Sequence, residues 1–335
     1  MEKRELGKTG MEVSRLGFDT TPLRAQEFKQ AQAVLNIAYD CGIRLYTTGR
    51  GDQDSEIKLG YGLNLRRHDV AVLAKTHEVE GHKVARAIER SIRNLHTDYI
   101  DIYEIDLLFE EGKVDLALGE DGALNAMRKA KEEGKIRLSC AASLRPGILE
   151  RLVPTGQVDA VQFPVNIFDL DFARRLFPLV KEKGVGVIGC HPFAEGTFGD
   201  PHLALPFVLD QETDAVMAGM STVAQVRENA AAADNFKPLS DAEREMLEEV
   251  GRTLGRDYCR LCGECMPCER GIDVVKIMEM LRASWRFHLR DWAKGVYSSL
   301  AVKPSACDEC GECEKRCRYK VNVISLLGRA ARHFA

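Results

Sequence analysis

Eight cysteines in the last quarter of the chain have the spacing best suited to chemistry. They read Cys259-Arg-Leu-Cys262-Gly-Glu-Cys265-Met-Pro-Cys268 and Cys307-Asp-Glu-Cys310-Gly-Glu-Cys313-Glu-Lys-Arg-Cys317. Three thiolates at C-x2-C-x2-C spacing can fold around three corners of one cubane and leave its fourth iron to a remote cysteine. Used twice with crossed fourth ligands, the pattern predicts two [4Fe–4S] clusters within electron-transfer reach. The expected sets are Cys259, Cys262, Cys265 with Cys317, and Cys307, Cys310, Cys313 with Cys268. Two zinc sites of four thiolates, or a disulfide framework, are the alternatives. Triple runs suit a single ion poorly, and nothing else in the chain suggests an oxidising compartment. The proline usual after the fourth cysteine is absent, since Glu269 and Arg318 stand there.

The elements that must position these residues follow from the rest of the chain. At 335 residues, 45% hydrophobic and 29% charged, it suits one large domain and one small one. The beginning Met-Glu-Lys-Arg-Glu-Leu-Gly lacks the apolar core of a signal peptide, and no apolar run is long enough to span a bilayer. A cytoplasmic location is therefore expected, and it suits reduced thiols. The net charge of -4 is uneven, with 14 Lys/Arg against 9 Asp/Glu from residue 259 onward. Such a basic tail can offset the negative charge of two clusters, so it gives no reason to invoke nucleic acid or a membrane surface.

Through about residue 235, short β-type runs alternate with helical stretches, as in a parallel α/β fold. Strands are predicted at Val13–Phe18, Arg44–Thr47, Val70–Ala74, Ile100–Ile105, Arg137–Ala141, Asp159–Phe163, Gly186–Cys190 and Asp214–Ala218. Between them, helices are predicted at Glu27–Cys41, Lys83–Leu95, Ala123–Glu133, Pro146–Leu152, Phe172–Lys183 and Val223–Ala233. Eight strands with intervening helices predict a (β/α)8 TIM barrel over residues 1–238. A doubly wound sheet is the alternative, but no G-x-G-x-x-G follows the first strand. Residues 239–335 are then a helical linker and a small α-helical ferredoxin-like domain. Between the cysteine runs, Val275, Met278, Leu281, Trp285, Leu289, Trp292 and Val296 recur at helical steps and predict one apolar stripe covering the clusters.

Several ordered segments give the barrel a family resemblance. They are Arg4 to Phe18, Gly42-Ile-Arg-Leu-Tyr-Thr-Thr-Gly49, Asp54-Ser-Glu56, Leu73-Ala-Lys75-Thr, Asp98 to Tyr103, Gly134 to Arg137, Gln162-Phe-Pro-Val-Asn166 and Gly219 to Asn229. Together they resemble the aldo-keto reductase superfamily, and the whole chain resembles its subgroup with a C-terminal [4Fe–4S] module. The resemblance implies a catalytic Asp, Tyr, Lys and His. Those positions hold Thr47, Asp52, Lys75 and Asp106 here, so only the lysine is kept. Without a phenol, ordinary carbonyl reduction lacks its proton donor. The places that would face a nicotinamide are altered too, with Asp19, Thr20, Ala142, Ser143 and Cys190. Gly219, Ser221, Gln225, Glu228 and Asn229 match the family's phosphate and adenosine pattern, so an adenosine nucleotide such as NAD(P)H is a candidate cofactor.

The first functional expectation is electron transfer through two clusters on a degenerate barrel, with a redox partner protein. The alternative is an atypical NAD(P)H-dependent aldo-keto reductase acting on a small-molecule substrate, with Lys75 and a substitute acid such as His191 or Asp52. A third reading gives the clusters a purely structural role. Self-association is neither specified nor excluded.

Overall fold

The computed structural model describes residues 1–49, 54–107, 111–286 and 290–334. Asp52 lies outside these residues. Contact grouping divides the chain into one compact unit of residues 1–194 with 198–240 and a second of residues 195–197 with 241–335.

The first unit is a closed parallel barrel. Its strands are β3 (Leu16–Asp19), β4 (Leu45–Gly49), β5 (Ala71–Thr76), β6 (Ile100–Asp106), β7 (Ile136–Ala142), β8 (Ala160–Pro164), β9 (Gly186–Cys190) and β10 (Ala215–Gly219). β10 returns to pair with β3 and completes the (β/α)8 topology. The expected strand Val13–Phe18 divides at Arg15. Its first part, β2 (Glu12–Ser14), pairs antiparallel with β1 (Lys3–Glu5) in a separate two-stranded sheet. Arg15 donates its N–H to Glu2 O at 3.0 Å, while its own carbonyl accepts from Val216 in the barrel. One residue thus serves both sheets, and the run cannot continue as a single strand.

Helices α1 (Phe28–Asp40), α2 (Ser55–Leu63), α3 (Gly81–Asn94), α4 (Val114–Leu118), α5 (Ala123–Glu132), α6 (Pro146–Leu152), α7 (Leu170–Lys183), α8 (Pro201–Leu209) and α9 (Val223–Asp234) belong to this unit. α3 shows why the outer elements form: Val84, Ala87, Ile88 and Ser91 are its buried face, at three- and four-residue steps. α2, α4 and α8 are not among the helices the sequence predicts. α9 begins with a capping box in which Thr222 and Gln225 satisfy each other's backbone donors.

Inside the barrel, side chains alternate with period two. Leu45, Leu73, Ile102, Leu138, Ala160, Ile188, Ala215 and Met217 pack together as its apolar interior. The same inward phase then carries Thr47, Lys75, Glu104, Asp106, Gln162 and Cys190 toward the C-terminal ends of the strands. That is the end of such barrels where sites are built.

The second unit contains α10 (Asp241–Leu254), α11 (Val274–Arg286), α12 (Arg290–Ser299), α13 (Glu312–Arg316) and α14 (Val323–Phe334). Its apolar core includes Ile272, Val274, Ile277, Met278 and Leu281 with Val321, Val323, Leu326, Leu327 and Ala330. This corrects the single stripe expected from the sequence. The buried side of α11 centres on Val274, Ile277, Met278 and Leu281, one phase away from Val275. Trp292, assigned to the stripe, is 45% exposed on α12. Leu289 lies outside the described residues. No helix among the described residues is long and apolar enough to cross a membrane.

Candidate functional site

Lys75 stands at the centre of the barrel mouth because its two neighbours in the sheet leave it room and charge. On one side it pairs in register with Gly49, where an added Cβ would lie 2.7 Å from Lys75 Cγ. On the other side it pairs with Glu104. Glu104 in turn is in register with Cys140, whose Sγ lies 3.4 Å from Glu104 Oε2 as a hydrogen-bond donor. Thr47 lies beside Asp19, and Asp19 beside Gly219, closing the ring of inward positions.

Glu104 is 0% exposed. Burial, then the nearby Asp106 charge, pushes its carboxyl up to about 8, with Lys75 pulling the other way. The thiols of Cys140 and Cys190 are raised as well, burial first and Glu104 next, so neither is poised as a nucleophile. Glu104 escaped the sequence reading, although it continues the inward phase of Ile102 and precedes Asp106 by two residues. Period-two alternation was the signal available.

Four buried oxygens at this end have no hydrogen-bond partner among the described residues: Thr47 Oγ1, Glu104 Oε1, Asp106 Oδ1 and Gln162 Oε1. Buried polar atoms left unpaired cost roughly 1–3 kcal/mol each. Their concentration on inward positions leaves hydrogen-bonding oxygens gathered at the barrel mouth. Asp106 Oδ2 is 3.9 Å from Nδ1 of the exposed His77. His191 follows β9 with a positive φ of 56°, and its carbonyl accepts from Asn166 Nδ2 at 3.1 Å.

The nucleotide-pattern residues gather at the end of β10 and the start of α9. Gln225 Oε1 accepts from Ser221 N, Ser221 Oγ and Thr222 N, so its oxygen is committed to the helix cap. Asn229 is buried, whereas Glu228 is exposed 3.9 Å from His202. The loop Thr21–Ala25 is tied to this region by Gln26 Nε2, which donates to Ser221 O. Beneath the loop, the buried Lys58 ammonium donates to Leu23 O at 3.0 Å and Gln26 O at 2.7 Å. The sequence reading gave that lysine no role.

In the second unit, the two cysteine runs share several turns and hydrogen bonds. Leu261 N donates to Cys259 Sγ and Glu309 N to Cys307 Sγ, both at 3.4 Å. Leu261 and Glu309 have φ of 55° and 59°, and Gly263 and Gly311 have 79° and 78°. Gly263 O accepts from Met266 N, as Gly311 O does from Glu314 N. The match resumes after one extra residue in the second run. Cys268 O accepts from Gly271 N, and Cys317 O from Lys320 N. Left-handed backbone at a residue with a side chain costs roughly 1–2 kcal/mol, so Leu261 and Glu309 hold a curl that something must make worthwhile.

The halves are also cross-linked. Arg270, just after Cys268, pairs with Asp308 beside Cys307, and Arg318, just after Cys317, pairs with Glu264 between Cys262 and Cys265, both at 2.6 Å. One cavity is lined by Cys268, Cys307, Cys310 and Cys313. Burial, then repulsion from Cys262, Cys265 and Cys317, pushes the Cys259 thiol up to about 12. Among the described residues, no group of three or more His, Cys, Asp or Glu is arranged to hold a single metal ion. Cys262, Cys265 and Cys317 lie within electrostatic reach of Cys259, while Cys268, Cys307, Cys310 and Cys313 share the lining of one cavity.

Comparison with known proteins adds the following. A family model described as the aldo/keto reductase family matches residues 15–200. An L-galactose dehydrogenase from Arabidopsis thaliana is 31% identical over 309 residues, spanning 76% of this chain and 94% of the relative. An NADH-specific methylglyoxal reductase from Escherichia coli (strain K12) is 24% identical over 331 residues, spanning 76% of this chain and 100% of the relative. Among solved structures, an aldo-keto reductase from Bacillus halodurans in its holo form matches with a TM-score of 0.66 at 24% identity, covering 75% of this chain and 96% of that one. An aldo-keto reductase from Klebsiella pneumoniae in complex with NADPH matches with a TM-score of 0.63 at 22% identity, covering 75% and 95%. At these identities the structural likeness speaks for the barrel fold.

Proposed function

Because the chain belongs to the aldo/keto reductase family, we propose that its barrel is a nicotinamide-nucleotide-dependent oxidoreductase rebuilt around Lys75. This reading takes precedence over the sequence's first expectation of an iron–sulfur oxidoreductase or electron-transfer protein on a degenerate barrel, since the named relatives are a dehydrogenase and a reductase. One observation carries it. Lys75 stands among unpartnered buried oxygens of Thr47, Glu104, Asp106 and Gln162, at the end of the barrel where chemistry is built.

The residues present fit the nucleotide. Gln162 Oε1 is a buried acceptor in want of a donor, and a carboxamide N–H supplies one. Ser221 stands ahead of α9, where backbone N–H groups favour a phosphate. The nucleotide, when bound, supplies or accepts a hydride. Lys75 holds the substrate oxygen and stabilises negative charge on it, while Glu104 sits behind the lysine. This places a carboxyl group on β6, in a barrel whose family carboxylate position on β4 is Thr47. The test is turnover of a panel of alcohols and carbonyls, followed by the absorbance of reduced nicotinamide. Lys75→Met should lower kcat/KM at least about a hundredfold, or roughly 2.7 kcal/mol of transition-state stabilisation. Turnover unchanged by that substitution would remove Lys75 from the chemistry.

A second activity is favoured by the grouping of the eight thiols. We read the second unit as the holder of two [4Fe–4S] clusters, with Cys259, Cys262, Cys265 and Cys317 on one, and Cys307, Cys310, Cys313 and Cys268 on the other. A cubane binds each thiolate to a different iron, which suits two sets of four thiols in which no three are arranged, among the described residues, to hold a single ion. When bound, such clusters carry electrons one at a time. The chain's own contribution is the pair of left-handed curls and the two crossing ion pairs that hold each fourth cysteine against the opposite run.

A further inference from the structure

We propose that the thiol set Cys268, Cys307, Cys310 and Cys313 is the face through which this chain exchanges electrons, and that it receives a redox protein with a basic docking surface. The proposal rests on the reading of two [4Fe–4S] clusters above and says which of the two sets meets the partner. It starts from a difference between runs whose turns are alike. Cys310 is exposed, Cys268 and Cys307 are half-buried, and Cys313 is buried. In the other set Cys265 and Cys317 are buried, Cys259 and Cys262 are half-buried, and none is exposed.

Side chains at matching positions account for the difference. Leu261 and Glu309 hold the same left-handed curl, yet Leu261 is 5% exposed and Glu309 is fully in the exposed class. Tyr258, ahead of Cys259, is buried, whereas Ala306, ahead of Cys307, is small and exposed. The Arg260 guanidinium lies 4.5 Å from the centre of the Tyr319 ring and donates to Gly255 O and Tyr258 O, so it is folded back over its own run. Its counterpart in the second run is the exposed Asp308. Electron tunnelling weakens steeply with distance, so the set with an exposed ligand is the one a partner can approach closely.

Charge at that face selects the partner. The cavity lined by these four thiols is also lined by Glu269, Asp308, Glu312 and Arg316. Arg270 matches Asp308 and Lys315 matches Glu312, each at 2.6 Å. The balance is then set by Glu269 and Glu309 against Arg316, and a bound oxidised cluster adds roughly two negative charges. Such a face attracts Lys and Arg side chains on a docking protein and repels acidic ones. One electron crosses per encounter. A reduced one-electron carrier protein is oxidised, iron held by these four thiolates is reduced, and no covalent bond or proton moves.

The test uses the full chain prepared without oxygen, the methyl viologen radical cation as electron donor, and bleaching of the cluster absorbance as readout. Iron is counted first. About eight irons per chain are expected, and an iron-free chain would remove the cluster reading and this inference together. With iron bound, the bimolecular bleaching rate should fall as salt is added. At matched iron content, Glu309→Lys should lower that rate at least about threefold, while Asp257→Lys, near the other set, should leave it within about twofold. Lys320 already holds left-handed backbone with a lysine side chain, so Glu309→Lys asks nothing unusual of the fold. The reverse ranking of the two variants, equal rates in all three proteins, or a rate that rises with salt would overturn the proposal while leaving the clusters in place.

Discussion

A carboxyl group sealed between a lysine and a thiol has no water to stabilise its charge, and Glu104 shows the consequence. Its carboxyl is pushed up to about 8, from an ordinary 4.5, by burial and by Asp106. The folded protein therefore holds this proton over a pH range where the unfolded chain has released it. Stability attributable to Glu104 is fully present below about pH 4.5. It falls as pH rises toward 8, by about 1.4 kcal/mol per pH unit for one proton, and levels above. Glu104→Gln cannot ionise, so its unfolding midpoint in urea should decline less than that of wild type between pH 5 and 8. Parallel profiles for the two proteins would mean that Glu104 is ionised in the fold throughout. The same burial bears on the thiols beside it. Cys140 and Cys190, raised well above the ordinary thiol range, should resist alkylation at neutral pH.

At the scale of elements, the second unit makes a sharper claim than cysteine spacing does. Arg270 binding Asp308, and Arg318 binding Glu264, put each fourth cysteine beside the opposite run. Double variants separate crossed from uncrossed ligation. Cys262→Ser with Cys317→Ser should leave about four of eight irons per chain, whereas Cys262→Ser with Cys268→Ser should leave almost none, at four irons per cluster. The reverse pattern would show uncrossed sets. The barrel was legible because alternating strands and helices leave a strong pattern. β9 and α6 match their predicted bounds, at Gly186–Cys190 and Pro146–Leu152. What the sequence hid depended on partners far along the chain. Arg15 divides the strand because its N–H goes to Glu2 O and its carbonyl to Val216 N, in two different sheets. The buried face of α11 turned on contact with α14, which no local period encodes. Glu104 was hidden differently: its phase was readable, but a carboxylate inside a barrel runs against the expectation that such positions are apolar.

The whole molecule joins an aldo/keto reductase barrel to a small helical unit whose cysteine-bearing stretch is of opposite charge. The last 77 residues are net positive, and the remainder is net negative. Four negative charges, roughly two per oxidised four-thiolate cluster, would nearly neutralise that basic stretch. A redox partner protein exchanging electrons with it is part of our proposal. The central claim, however, belongs to the barrel: a family scaffold that has kept its lysine, changed the groups around it, and still takes a nicotinamide nucleotide. A crystal structure of the full chain, prepared without oxygen and soaked with oxidised nucleotide, tests that most directly. The account predicts a nicotinamide ring at the barrel mouth beside Lys75, with its carboxamide N–H on Gln162 Oε1 and its phosphates near Ser221. Only solvent at the mouth under saturating nucleotide, or a nucleotide bound elsewhere on the chain, would contradict it.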